Sequence, residues 1–229
     1  MVIGVILAAG KGNRMNQQVK KQYMEINQKP LLYYSLLAFE KSSVDQIILV
    51  TGEGDVEFCQ KEIVEKYDLK KVGKVIPGGK ERFLSVMEAL KYINAEDVVL
   101  IHDGARPCVT KDLIQKVIDC TQKNGNCIAV VKVSETIKQI NLDGTVKQTI
   151  AREQLVTVQT PQGFIGKELI QAYHDLEEDL NAGGNIFPTD DGMVYELYGK
   201  GSLYTVEGDY QNRKVTTIED VFFVENHLK

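Results

Sequence analysis

VIGVILAAGKGNRMNQQVKKQY, residues 2 to 23, is the stretch from which the rest of the chain can be read. Val2, Ile3, Val5, Ile6 and Leu7 make the near-continuous apolar run of a strand covered on both faces. The run stops at Ala8, Ala9, Gly10 and Gly12, and Arg14, Lys20 and Lys21 follow. A small-residue loop released from a central parallel strand lets backbone N–H groups approach a polyanion, because no side chain intervenes. Cations at the far end complete the layout of a phosphate site, and a nucleotide is the ligand that fits it.

Two familiar phosphate loops do not match. A dinucleotide fingerprint needs a third glycine or alanine three places after Gly12, where Met15 would spoil close packing of helix on strand. A P-loop needs Gly-Lys-Ser/Thr five places after its first glycine, and Gly10 is followed there by Met15. An ordinary glycine turn is the plainer alternative, but it has no use for Arg14 and Lys21 beside it.

Outward from this stretch, strand and helix patterns alternate. Pro30 opens a helix carrying Leu31, Leu32, Leu36 and Phe39, with the proline in its first turn. Gln46 to Thr51 reads as a buried strand, and Asp55 as the cap of a helix bearing Val56, Cys59 and Ile63. Val75 and Ile76 lead into Gly78 and Gly79, and Phe83, Val86, Met87 and Leu90 recur at helical spacing. Val98 to Ile101 is a strand, Thr110 opens a helix, and Cys127 to Val133 is another strand. Such alternation predicts a Rossmann-like, mainly parallel sheet flanked by helices on both faces, with ligands at the carboxyl ends of its strands. Those ends are Ala8-Ala9-Gly10, Thr51-Gly52, Gly78-Gly79 and His102-Asp103.

The pattern changes at Glu135. Residues 135 to 140 and 145 to 150 flank a turn containing Asp143-Gly144, a strong hairpin signal. A two-stranded ribbon is marginal alone, so two placements are open: an arm over residues 135–152 that protrudes to embrace a second subunit, or one folded back on its own sheet. Later come a strand around Thr157, a helix with Leu169, Ala172, Tyr173 and Leu176, a helix after Thr189, a strand from Leu203 to Val206 and a closing helix from Thr217.

Among 229 residues, 43% are hydrophobic and 26% charged, as in an ordinary globular chain, and one domain over 1–229 is expected. A net charge of −5 argues against a broad nucleic-acid surface, and neither an export signal nor a membrane span is evident. Cys59, Cys108, Cys120 and Cys127 lack metal-ligand spacing and read as reduced thiols of a cytoplasmic protein. His102 is expected to orient its loop by hydrogen bonding.

LAAGKGNRM with KKQY after it resembles the signature of nucleotidyltransferases that join a nucleoside monophosphate to a sugar or polyol phosphate. More narrowly, it is similar to the 2-C-methyl-D-erythritol 4-phosphate cytidylyltransferase family of the non-mevalonate isoprenoid pathway. GGKERFLSV, HDGARP, ETIK, QTPQGF, TDD and NRKVTT stand in that family's order, so the likeness spans nearly the whole chain. Three positions depart from it: Lys20 replaces the usual proline, Lys80 stands where many relatives carry an acid, and Glu135 replaces the usual Asp.

The resemblance implies the nucleotidyltransferase fold and a magnesium-dependent transfer of CMP from CTP to a polyol phosphate. Attack of one phosphate on another demands alignment and neutralisation and needs no covalent nucleophile. By residue matching, Arg14 and Lys21 are the catalytic cations on the α-phosphate and the leaving pyrophosphate, and Arg152 and Lys214 orient the attacking phosphate. Ala8, Ala9, Gly10, Gly12, Gly78, Gly79, Ser85, Asp103 and Gly104 would hold the nucleotide, with Asp103 also the metal ligand. Arg106, Thr136, Thr160 and Thr189 would hold the acceptor, and the arm would make the homodimer part of the site. Three rivals stand beside this reading: a ribitol-5-phosphate cytidylyltransferase, a non-catalytic CTP-binding regulator, and a nicotinamide-dependent dehydrogenase, the last disfavoured by Met15.

Overall fold

The computed structural model describes residues 1–10 and 20–228, so Gly12 and Arg14 lie outside the described residues. In chain order the elements are β1 (Val2–Ala8), a 3-10 turn (Lys21–Tyr23), β2 (Glu25–Ile26), β3 (Lys29–Pro30), α1 (Leu31–Glu40), β4 (Gln46–Thr51), a second 3-10 turn (Glu53–Asp55), α2 (Val56–Cys59) continuing as a π-helix (Gln60–Glu65), and β5 (Val72–Pro77). Then follow α3 (Arg82–Leu90), β6 (Val98–Asp103), α4 (Lys111–Asn124), β7 (Asn126–Lys132), β8 (Ile137–Ile140), β9 (Val146–Ile150), a third 3-10 turn (Arg152–Gln154) and β10 (Val156–Ile165). The chain closes with α5 (Gly166–Asn181), α6 (Asp191–Tyr198), β11 (Thr205–Glu207) and α7 (Ile218–His227).

Seven strands form one mixed sheet in the order β11-β7-β10-β6-β1-β4-β5. β1 pairs in parallel with β4 and β6, β4 with β5, and β11 with β7, so that six strands point their carboxyl ends to one edge. β10 runs antiparallel between β6 and β7. The expected α/β sheet is therefore present, with one reversed strand inside it. Along β1 the side chains alternate: Ile3 and Val5 pack with α3, α5 and α6, whereas Ile6 and Ala8 pack with α1, α2 and α4. That is the period-two alternation of a strand with a core on each side. α7 packs Val221 and Val224 on Ile26, Leu31 and Val215 as a smaller third cluster.

Helix starts follow the expected chemistry in two places. The Thr110 hydroxyl accepts from Leu113 N–H, and Thr217 and Asp220 form a reciprocal capping box. Two expectations change. Pro30 is the residue before the first turn of α1 rather than within it. Asp55 precedes α2 but makes no cap bond, because its carboxylate is taken by Lys20 and Tyr23.

β8 and β9 form a separate two-stranded ribbon that, among the described residues, pairs with no other strand. Its turn is built as the Asp-Gly signal predicts: Asp143 Oδ1 accepts from Thr145 N–H at 2.9 Å and Gly144 takes φ +85°. Among the described residues no helix is long and apolar enough to cross a membrane.

Candidate active site

The carboxyl edge of the parallel strands gathers the loops that the sequence marks. β1 ends at Ala8, whose carbonyl accepts from Gln22 Nε2 at 2.8 Å, and the same amide donates to the Gly10 carbonyl at 3.0 Å. Gln22 is 3% exposed, so it stitches the returning chain, and with it half-buried Lys21, to the end of β1. Gly78 N–H donates to Thr51 O at 2.7 Å, which continues the sheet into the second loop. A Cβ on Gly78 would stand 2.6 Å from Ser85 Oγ and 2.8 Å from the Ala9 methyl, so only glycine lets the two loops meet. Ser85, buried in α3, accepts from Gly79 N–H at 3.1 Å and so shapes that loop.

Asp103, at the end of β6 and paired in register with Leu7, sits at the centre of the charge. Lys214 Nζ is 2.7 Å from its Oδ2 and Arg82 Nε 3.2 Å from its Oδ1, while Arg106 Nε stands at 4.0 Å. Burial alone would raise its pKa, but Arg82, Lys214 and Arg106 hold it far below the usual carboxylate range. Asp103 is therefore ionised. Each carboxylate has about four lone-pair sites, and the partners within hydrogen-bond distance leave room for a divalent cation, which asks for one or two carboxylates beside phosphate oxygens and water. Asp103 thus keeps acceptor capacity of the kind magnesium takes, beside three cations that already offset its charge. The Asp103–Arg106 ion pair is the longest of the three contacts.

His102 is fully buried and acts as expected, by orienting the loop. Its Nε2 faces the Arg106 carbonyl at 3.2 Å and its Nδ1 the Thr160 hydroxyl at 3.0 Å. A carbonyl can only accept, so Nε2 carries the proton and Thr160 donates to Nδ1. Burial pushes the His102 pKa down to about 4, which leaves the ring neutral. Thr160 also accepts from Asp103 N–H at 3.1 Å, so its hydroxyl is already engaged at both the strand and the histidine.

A cavity of about 410 Å³ opens beside this cluster, and Asp103, Arg106, Thr160, Thr189 and Lys214 all line it. Five residues from four separate stretches of sequence thus share one site. Arg106 is steered there by donating to Asn212 O at 2.8 Å. Gly104 sits under the cluster, its N–H bonded to Leu7 O at 2.9 Å. Thr136 and Arg152 do not line the cavity: both are exposed at the base of the β8–β9 ribbon, where Arg152 donates to Ser134 O.

Arg82, Asp191, Tyr173 and Gln22 also belong to the site, although the sequence does not single them out as functional. Arg82 forks onto both oxygens of Asp191 at 3.0 and 2.6 Å, and the Tyr173 hydroxyl donates to Asp191 Oδ1 at 2.6 Å. Asp191 is wholly buried. Burial works against the charge on Arg82, yet Asp191 and Asp103 more than offset it and hold the guanidinium's pKa well above its ordinary value. The available signals were Arg82 within GGKERFLSV and Asp191 within TDD, both lying in quoted stretches.

The model of the 2-C-methyl-D-erythritol 4-phosphate cytidylyltransferase family matches residues 2–229. Relatives of that name include one from Lachnoclostridium phytofermentans, 42% identical over 100% of this chain and 96% of its own length. Another, from Alkaliphilus metalliredigens, is 45% identical over 98% of this chain and 91% of its own. The crystal structure of 4-diphosphocytidyl-2C-methyl-D-erythritol synthase from Anaerococcus prevotii superposes with a TM-score of 0.83 at 31% identity, covering 99% of this chain and 97% of that one. Agreement of this extent, from end to end in sequence and in fold, makes the chain a member of the 2-C-methyl-D-erythritol 4-phosphate cytidylyltransferase family.

Proposed function

We propose that the cavity beside Asp103 is where 2-C-methyl-D-erythritol 4-phosphate meets CTP. The chain transfers CMP: a phosphate oxygen of the acceptor attacks the α-phosphorus of CTP, the bond to the β,γ-diphosphate breaks, and 4-diphosphocytidyl-2-C-methyl-D-erythritol and pyrophosphate are released. Ala8, Ala9, Gly10 and Gly12 offer backbone N–H groups to the triphosphate, with Arg14 and Lys21 neutralising the charge that builds up in the transition state. Gly78, Gly79 and Ser85 receive the cytosine, and Asp103 and Gly104 the ribose. Lys214 and Arg106 orient the acceptor phosphate, with Thr160 and Thr189 at the cavity wall. Asp103 is the residue that would hold Mg²⁺, whose charge would further neutralise the triphosphate.

The observation that carries this reading is the ring of Arg82, Lys214 and Arg106 around a single ionised aspartate at the carboxyl edge of the sheet. Two mutually repelling anionic substrates need such a cluster of cations, and a bare nucleotide-binding regulator would not need the acceptor side. Pyrophosphate release measured with CTP and each acceptor separately tests it. Turnover with methylerythritol phosphate is expected, and faster turnover of ribitol 5-phosphate rejects it.

Thr136 and Arg152 complete the site from the arm of a second subunit in a homodimer. Their exposure at the ribbon's base, and a ribbon that pairs with no other strand among the described residues, support this arrangement. Coexpression of Lys21→Ala and Arg152→Ala chains is the test. If each arm serves its neighbour, mixed dimers contain one intact site and about a quarter of wild-type activity returns; if each arm serves its own chain, none does. The four cysteines stand as free thiols, three of them buried, which supports a cytoplasmic location.

A further inference from the structure

Lys21 is flanked by two side chains that pin it from opposite sides. Gln22, on one side, is bonded to the carbonyls of Ala8 and Gly10 at the end of β1. On the other side the Lys20 ammonium reaches both carboxylate oxygens of Asp55, at 2.7 and 2.6 Å, in the turn that follows β4. Asp55 is itself braced. The Tyr23 hydroxyl donates to its Oδ2 at 3.0 Å, Cys59 Sγ lies 3.3 Å from that hydroxyl, and the Tyr23 ring stands edge-on to Phe58 with centroids 5.1 Å apart. Gly52 closes the arrangement from beneath, since a Cβ there would stand 2.7 Å from Asp55 Oδ2 and 3.3 Å from Lys20 Nζ.

We propose that the Lys20–Asp55 ion pair is a positioning latch that sets where Lys21 stands relative to the triphosphate. Neither latch residue touches the reacting atoms. Their effect passes through the backbone of residue 21, held between the ends of two adjacent parallel strands. The pair is partly sheltered, with Asp55's side chain 15% exposed and Lys20's 43% exposed, and both oxygens are engaged, so it fixes direction as well as distance. The backbone at Lys20 has φ −59° and ψ 136°, inside the range that a proline ring imposes. Proline at this position would hold the same backbone direction by covalent restraint, without the ion pair.

That equivalence supplies the test, which rests on the catalytic role given to Lys21. Single-turnover and steady-state rates would be compared for Lys20→Ala, Asp55→Asn, the double variant, Lys20→Pro and Lys21→Ala, with Tm recorded for each. Lys20→Ala and Asp55→Asn are expected to lower kcat about tenfold, as misplacement of a catalytic group does, with KM for the acceptor unchanged and Tm within about 2 °C of wild type. The double variant should be no slower than either single, because one interaction is removed in all three. Lys20→Pro should recover most of the loss, and Glu62→Gln, in an exposed pair with Lys66 on the neighbouring helix, should have wild-type rates. Unchanged kcat in both singles beside an inactive Lys21→Ala overturns the latch, as does a loss that is additive or that proline fails to rescue. A fully active Lys21→Ala overturns instead the role given to Lys21.

Discussion

The carboxyl edge of the sheet and the β8–β9 ribbon carry functional residues in opposite physical settings. At the edge, each important side chain is held by others in the same chain: Asp103 by Lys214 and Arg82, Arg82 by Asp191, Gln22 by two carbonyls of the first loop. Beneath them lie two cores that the strands share. Among the described residues, the ribbon is held by its own ladder and by exposed pairs such as Lys138–Thr149 and Gln148–Gln139, with Ile140, Leu142 and Val146 facing solvent. A preorganised edge can stabilise charge in a transition state without reorganising. A ribbon without a core gains little stability of its own and is suited to being completed by another surface.

This contrast is open to attack from three sides, beginning with the largest effect. Arg82→Ala leaves Asp191 buried with, among the described residues, the Tyr173 hydroxyl alone for a side-chain partner. Stability should fall by about 3–5 kcal/mol, as when one member of a buried ion pair is removed. Urea denaturation measures it, and a loss under about 1 kcal/mol would show that the edge is less interlocked than its geometry suggests.

Acid should find the same region next. His102 stays neutral in the folded protein down to about pH 4, whereas the unfolded chain takes up its proton near pH 6.5. More protons are bound by the unfolded state in that window, so stability falls as pH falls. This part of the stability is intact above about pH 6.5, and its loss reaches about 3 kcal/mol by pH 4. In His102→Gln that part of the acid dependence should be absent from unfolding curves taken across the window.

The arm should respond least. Leu142→Ser, at the fully exposed tip of the ribbon, should change unfolding free energy by less than about 0.5 kcal/mol. A loss above 1 kcal/mol would place the tip in a packed environment and erase the distinction drawn between the two regions.

Much of the edge was legible in one dimension because its signals are local. Short apolar runs that give way to Ala, Gly or Asp mark strands that stop at a polar ligand, and β1, β4, β5 and β6 end where those signals lie. The Asp143-Gly144 turn and the Thr110 and Thr217 caps were readable for the same reason. β10 was less readable. Its ten residues include Pro161, its ladder to β7 shifts register between Val158 and Gln162, and nothing in its pattern announces that it runs antiparallel.

Taken alone, the chain's residues determined the alternating α/β plan, the glycine loops, the ribbon and the family, since each depends on neighbours a few positions away. Tertiary structure decided which charges meet. Arg82 and Asp191 are 109 positions apart, Asp103 and Lys214 are 111 apart, and Asp55, which looked like a helix cap, faces Lys20 from 35 positions away. Such pairings follow from the order of strands in the sheet and the crossovers between them, which bring remote loops to one edge and leave no periodic trace in the sequence.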